Sequence, residues 1–490
     1  MKAESKQEGL GQAAARGARW MALATASLTL ISLAQNMTLS RLLEARELGL
    51  VGMLWAALGL AQVFHDMGLG NAVVQRKEVS EQELSTVFWL SAAMGGVLCG
   101  FCVLAGPLLA AYYREPELAA LAPWVGGAFL AQSLGQTFRS VGQRELRFGW
   151  LSGVDVVSAA VGLGVSTGLA MNGWGAKSLL VATVAGSVVR SGLMAWGQRD
   201  LFWPGWQCRP GEIGAMLNFG LYQMGDKSLN YLGANIDYIL IGRVWGAEPL
   251  AIYRLAYETA VRPLSIINPI FNSVAYPIFS RKQDDAEALR NGLEQGLRMV
   301  AGLGFPLLAG LAVTADWAVK LLYGPKWEAV GPVLAVLCGT GALRCVTNLA
   351  GSILLAKGLA RRSFWLTVFN LALFSAAYGL AVQKGIEAMA WASVGVVGIV
   401  VVATYGWIYG ETIRMPVRQY AGALAGAAMA SLGMGCGVWG LRVSGWMSGW
   451  DWGWQFAAAV AAGTVLYAGL SAVLQPQLAG ALYRIAAKRG

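Results

Sequence analysis

Apolar residues run along most of this chain in long uninterrupted blocks, separated by short charged segments, with little of the alternation that marks strands or half-wet surface helices. A helix on a water-soluble protein hides one stripe and wets the other. Blocks apolar on every side ask for lipid as the solvent, and about 20 residues are needed to cross its hydrocarbon core. Read with that ruler, the sequence holds fourteen candidate spans, near 17–39, 48–68, 85–110, 119–142, 150–171, 176–196, 215–241, 250–276, 293–319, 330–355, 363–383, 386–409, 419–440 and 454–474. The seventh and eighth are the weakest by hydropathy because both carry charges within the span. The pattern predicts an all-α integral membrane protein.

Composition points the same way. Hydrophobic residues make up 56% of 490 positions and charged residues 13%, where a soluble protein carries about a quarter charged. One soluble core could not hide so many apolar side chains. Residues 1–16 are polar and of mixed charge, and the apolar run Gly17–Leu39 is too long for a signal-peptide core, so it reads as the first spanning helix. The six cysteines show no disulfide framework; Cys99 and Cys102 are spaced as CxxC but lie in an apolar run, where cysteine behaves as a small hydrophobe. With His65 the single histidine, a histidine-based zinc site is out of reach. No metal or cofactor is expected.

The net charge of +10 changes the picture only through its placement. If the N-terminus is cytoplasmic, most of the 37 lysines and arginines fall on cytoplasmic segments, as the positive-inside rule requires. Four others, Lys227, Arg254, Arg262 and Arg344, sit inside spans. An even number of spans returns the C-terminus to the cytoplasm. Nucleic-acid binding does not fit basic residues scattered over many short segments.

The chain also repeats itself at a spacing of roughly 202 to 210 residues. Ser40–Leu50 (SRLLEARELGL) aligns with Gly242–Ile252 (GRVWGAEPLAI), Gln75-Arg76-Lys77 with Ser280-Arg281-Lys282, and Tyr113–Pro116 with Tyr323–Lys326. Each copy holds six spans, so both enter the bilayer the same way round, and parallel repeats imply a pseudo-twofold axis along the membrane normal. The expected organisation is a six-helix bundle over residues 1–200, a second over 212–410, and two further helices with a basic tail over 411–490.

Ionisable side chains at mid-bilayer cost about 2.5 to 3.5 kcal/mol on insertion scales and normally face protein or water. Arg254, Glu258, Arg262, Ser265, Asn268, Asn272 and Tyr276 follow one another in steps of three and four, which puts them on one stripe of a helix. Gln223, Asp226, Lys227, Asn230 and Asp237 do much the same in the span before, and Thr25, Thr29, Ser32, Asn36 and Ser40 in the first. One reading is a hydrophilic cavity whose guanidiniums and Lys227 meet an anionic head group, since the planar fork of arginine bonds two phosphate oxygens at once. The other is mutual neutralisation of Arg254, Glu258 and Arg262 as i, i+4 pairs. Candidate cavity residues are Arg254, Arg262, Lys227, Asn268, Asn36, Gln223 and Asn230; Glu258, Asp237 and Asp226 are candidates for coupling to an ion gradient. Asp66 and Asp155 read as lone acids.

Gly17-Ala18-Arg19-Trp20, Asp66–Lys77 (DMGLGNAVVQRK), Leu255-Ala256-Tyr257, Pro277–Arg281 (PIFSR) and Leu322–Trp327 (LYGPKW) occur in this order. Together they resemble bacterial polysaccharide exporters of the multidrug/oligosaccharidyl-lipid/polysaccharide (MOP) flippase superfamily, the Wzx-type colanic-acid and teichuronic-acid branch. The resemblance runs from about residue 10 to 415. It implies a flippase of the bacterial cytoplasmic (inner) membrane that moves an undecaprenyl-pyrophosphate-linked oligosaccharide outward by alternating access, driven by a proton or sodium gradient. It implies that Arg254, Arg262 and Lys227 are the nearest equivalents of the basic residues that meet the pyrophosphate. Partners would be that lipid-linked substrate, membrane lipids and polysaccharide assembly proteins. The rivals are a drug or metabolite exporter or peptidoglycan-precursor flippase of the same fold, and, from another class, a membrane-embedded polymerase or glycosyltransferase. Short outside loops with few acids, and no nucleotide or metal motif, count against an enzyme.

Overall fold

The computed structural model describes residues 2–65, 69–76, 78–206, 214–281, 286–347, 349–357 and 359–475. Asp66, Lys77 and Lys282 lie outside them. The described residues are helical, with no strand among them, as expected where lipid offers the backbone no hydrogen bonds and a helix satisfies its own.

The chain divides into two compact units, residues 1–251 and 252–490. The first contains α1 (Lys2–Leu42), α2 (Ala45–Leu58), α3 (Ala61–Phe64), α4 (Leu69–Gln75), α5 (Glu81–Tyr113), α6 (Glu117–Arg144), α7 (Phe148–Met171), α8 (Ala176–Gln198) and α9 (Gly214–Trp245). Helix α10 (Ala247–Arg281) opens the second, followed by α11 (Ala286–Val313), α12 (Ala315–Tyr323), α13 (Val330–Thr347), α14 (Leu349–Ala356), α15 (Ala360–Ala381), α16 (Ile386–Thr404), α17 (Val417–Val443) and α18 (Trp452–Leu474). In the first unit α6 packs against α5 and α8, α7 against α8 and α1, and α9 against α2. In the second, α13 lies against α11 and α16, and α17 lies between α11 and α18.

Small residues set these spacings. A Cβ on Gly126 of α6 would stand 2.9 Å from the backbone of Cys99 on α5, and one on Gly135 would stand 2.8 Å from the Cα of Ser191 on α8. Close backbone approach through small residues is how helices associate without a hydrophobic force between them. The last two helices are held to the second unit by polar clasps as well. Tyr467 donates to the carbonyl of Gly302 on α11 at 2.6 Å. Arg442 pairs with Asp316 at 2.6 Å and lies 4.9 Å from the centre of the Trp317 ring.

Eleven helical segments among the described residues are long and apolar enough to cross a membrane. They correspond to eleven of the fourteen spans read in the sequence. Of the other three, 215–241 and 250–276 fall in α9 and α10, unbroken helices of 32 and 35 residues whose polar content keeps them out of the apolar set. The third, 48–68, is not one helix. It stops at Leu58, and beyond it the backbone tightens into bonds of the i to i+3 type, Gln62 to Gly59 at 3.0 Å and Val63 to Leu60 at 3.0 Å. Tyr231 of α9 sits at the break and donates its hydroxyl to the carbonyl of Trp55. Gly59 makes that approach possible, because a Cβ there would fall 2.1 Å from the Tyr231 oxygen.

Helix α2 also meets the start of α10. Gly49 of α2 faces Ala247, and a Cβ on Gly49 would lie 1.8 Å from the Ala247 carbonyl oxygen. Backbone cannot step aside as a side-chain tip can, so Gly49→Ala is expected to destabilise the protein by about 2 kcal/mol. Gly96→Ala, with nothing within 4 Å, serves as the control. Melting temperatures in detergent check this: a drop for the first alone is the expected result, and equal stability of the two variants would refute it.

Candidate functional site

Helix α10 has two unlike sides. Its buried side is made by Leu255, Ala256, Thr259, Ala260 and Leu264. Thr259 donates to the Leu255 carbonyl at 2.6 Å and, having one hydroxyl proton, accepts from the Tyr323 hydroxyl at 2.6 Å. Arg254, Glu258, Arg262 and Ser265 lie on the other side, partly or fully exposed. Helices α7 and α8 do the reverse: Val157, Val188 and Trp196 form their exposed sides. An exposed apolar side suits lipid, and an exposed charged side suits water. The polar stripe read in the sequence is therefore intact on α10 as far as Ser265, and the helix runs unbroken through Pro263 and Pro269. The side chains of Asn268, Asn272 and Tyr276 lie outside the described residues.

Within the stripe, the Arg254 Nε donates to Glu258 Oε1 at 2.6 Å, each side chain about a third exposed. These two neutralise one another across one helical turn, so the pairing reading holds for Arg254. Arg262, two turns on from Arg254, adds a further guanidinium. Arg344 of α13 lies 5.4 Å from the ring centre of Tyr257 on α10 and 6.0 Å from that of Phe374 on α15. Aromatic faces partly offset the cost of a guanidinium away from bulk water.

In the first unit, Lys227 and Asn230 of α9 are exposed. Asp237 is buried, with its Oδ1 accepting the backbone N–H of Tyr238 at 2.9 Å. The side chains of Gln223 and Asp226 lie outside the described residues. Asn36 on α1 is half-buried, and its neighbour Gln35 donates to Ser166 of α7 at 3.2 Å. Thr25 and Thr29 bond back to the carbonyls of Met21 and Thr25 at 2.8 Å, which spends their hydroxyls within the helix.

A cluster that the sequence reading missed joins three helices of this unit. Asp155 of α7 is not a lone acid. Arg139 of α6 donates through one Nη to both its carboxylate oxygens, at 2.8 and 3.1 Å, and the Nε of Arg190 on α8 stands 3.3 Å from Oδ1. Two guanidiniums thus share one carboxylate, leaving the cluster a net positive charge. Asp155 is the most covered of the three, with both guanidiniums partly exposed. The signal was present on α6, where Gln132, Gln136, Arg139 and Gln143 repeat in steps of four, three and four. Among the described residues no group of histidines, cysteines and acids is arranged to hold a metal.

The family described as polysaccharide biosynthesis protein matches residues 38–332. The teichuronic acid biosynthesis protein TuaB of Bacillus subtilis is 32% identical over 96% of this chain and 97% of its own length. The lipopolysaccharide biosynthesis protein WzxC of Escherichia coli is 34% identical over 73% of each. The chain belongs to this polysaccharide biosynthesis family. Among solved structures, the lipid II flippase MurJ in an inward closed conformation superposes with a TM-score of 0.77 at 12% identity, over 93% of this chain and 99% of that one. An inward-facing multidrug transporter of the MOP superfamily gives 0.60 at 17% identity, over 80% and 95%. At such identities these two likenesses speak to the fold alone, which this chain shares with both.

Removing the shared carboxylate of the three-helix cluster would leave two like charges facing each other in a half-buried site. Asp155→Asn is expected to cost about 2 kcal/mol, below the range for fully buried pairs because Arg139 and Arg190 retain some exposure. Adding Arg139→Leu to Asp155→Leu should recover part of the loss. A double-mutant cycle on detergent melting checks this, and strict additivity would contradict the coupling.

Proposed function

We propose that this member of the polysaccharide biosynthesis family is a flippase. It carries an undecaprenyl-pyrophosphate-linked oligosaccharide from the inner to the outer leaflet of the bacterial cytoplasmic membrane for surface polysaccharide assembly. The observation that carries the reading is the exposed charged side of α10, with Arg254, Glu258 and Arg262 in one line. A helix of this length with charge on its exposed side is costly unless that side meets water or an ionic ligand. A lipid pyrophosphate is such a ligand: anionic, rich in acceptors and suited to the arginine fork. The family supports the same substrate class, since its relatives are named for the biosynthesis of teichuronic acid and lipopolysaccharide.

In this reading Arg254, Arg262 and Lys227 attract the pyrophosphate, while Asn36, Asn230, Gln223 and Asn268 hydrogen-bond the sugars. Movement runs by alternating access between the two copies of the six-span repeat, and a proton or sodium gradient drives it. Glu258, already paired with Arg254, is the first candidate for the coupling group: protonating or metallating it would free that guanidinium for the substrate. Buried Asp237 is the second, and Asp226 the third. No covalent step is needed, so the protein acts as a transporter and not as an enzyme, with both termini in the cytoplasm.

The test is genetic and biochemical together. Arg254→Ala and Arg262→Ala are each expected to lower surface polysaccharide at least tenfold while the protein remains in the membrane at its normal level, as judged by immunoblot. Normal polysaccharide in both variants would remove these residues from the substrate path.

A further inference from the structure

The second unit holds a pocket lined by residues other than those of the α10 stripe. Helix α16 does not finish as an α-helix. Its last turn, Tyr405–Gly410, is a π-helix, a form that widens the coil and recurs at functional positions. The first turn of α15 closes on it. Arg362 donates to the hydroxyl of Thr412 at 2.8 Å and to the Trp407 carbonyl at 3.3 Å, and pairs with Glu411 at 2.7 Å. Arg362 is thereby spent on holding the π-turn, and Glu411 is neutralised by it.

The neighbouring Arg361 is exposed, and among the described residues no carboxylate pairs with it. It opens onto a cavity of about 440 Å³ whose walls include Trp365 and Trp407, 56% and 45% exposed. Phe369 braces the Trp407 ring edge-on at 5.3 Å. Among the described residues, the pocket thus offers one guanidinium with no carboxylate partner, and two indoles in its walls. Tyr405 of the π-turn donates to the Met415 carbonyl at 2.9 Å, and its ring touches that of Tyr420 on α17.

We propose that this pocket is a binding site for the head group of an anionic membrane phospholipid, with its phosphodiester on Arg361 and its glycerol and upper acyl carbons against Trp365 and Trp407. A small water-borne anion would gain nothing from indole walls, whereas a lipid presents charge and apolar surface a few ångströms apart. Tryptophan and arginine both suit that boundary, and basic pockets between helix ends recognise anionic head groups. Such a lipid would hold α15 to the end of α16 without taking part in transport. The site is separate from the α10 stripe, so its failure would leave the flippase reading untouched.

Native mass spectrometry of the purified full chain with limiting phosphatidylglycerol tests the assignment. Arg361→Gln is expected to lower occupancy by the first phosphatidylglycerol at least threefold, and Arg361→Lys to keep most of it. Arg418→Gln, an equal loss of charge outside the pocket, should bind as the unaltered protein does. Phosphatidylethanolamine should bind all four forms alike. Unchanged phosphatidylglycerol binding by the folded Arg361→Gln protein would overturn the proposal. So would an equal loss in Arg418→Gln, which would mean diffuse surface charge. Displacement of the lipid by inorganic phosphate alone would make it a free-anion site and equally overturn it.

Discussion

The structure depends on one constraint: a charged side chain cannot rest in hydrocarbon. Every long helix here must put its charges where water, protein or an ionic ligand can take them up. Helices α7 and α8 obey by showing valine and tryptophan outward and by pairing Asp155 with Arg190 and with Arg139 of α6. Helix α10 buries leucine and alanine on one side and keeps Arg254, Glu258 and Arg262 half-exposed on the other. The same rule applied to the same kind of helix yields two faces with opposite tasks. One is apolar, and the other is charged.

Packing serves that division. Glycines at Gly126 and Gly135 bring α6 close to α5 and α8, and Arg139 of the same helix reaches Asp155 on α7 through one Nη. At Gly49 and Gly59 the close approaches are to Ala247 and Tyr231, and they join the second span region to the start of the repeated segment. The break after Leu58 costs regular hydrogen bonding, and Tyr231 recovers one acceptor by bonding the Trp55 carbonyl. A helix that changes its winding where a partner's hydroxyl enters has two short rigid parts in place of one long one.

Much of this could be read from residue order. The apolar blocks announced membrane helices, and a period of three to four residues placed Arg254, Glu258, Arg262 and Ser265 on one side of α10. Motifs spread from Gly17 to Trp327 pointed to the family. Other features needed three dimensions. The break in 48–68 arises from Tyr231, about 170 positions away, and the hydropathy of a block says nothing of a distant hydroxyl. Arg139 and Arg190 lie on helices other than that of Asp155, 16 and 35 positions away, so Asp155 seemed alone. The π-turn at Tyr405–Gly410 left no mark in an ordinary apolar stretch. Pairing of Arg254 with Glu258 was one of two readings open on spacing alone, and a distance was needed to choose it.

The central claim is that the charged side of α10 borders water while the bare sides of α7 and α8 border lipid. Thiol accessibility tests it most directly. In protein freed of its native cysteines and held in native membranes, single cysteines replacing Glu258 and Ser265 should react with a charged methanethiosulfonate reagent. Cysteines replacing Val157 and Val188 should not. Silence at both α10 positions with the protein properly inserted, or equal labelling at all four, would contradict the account.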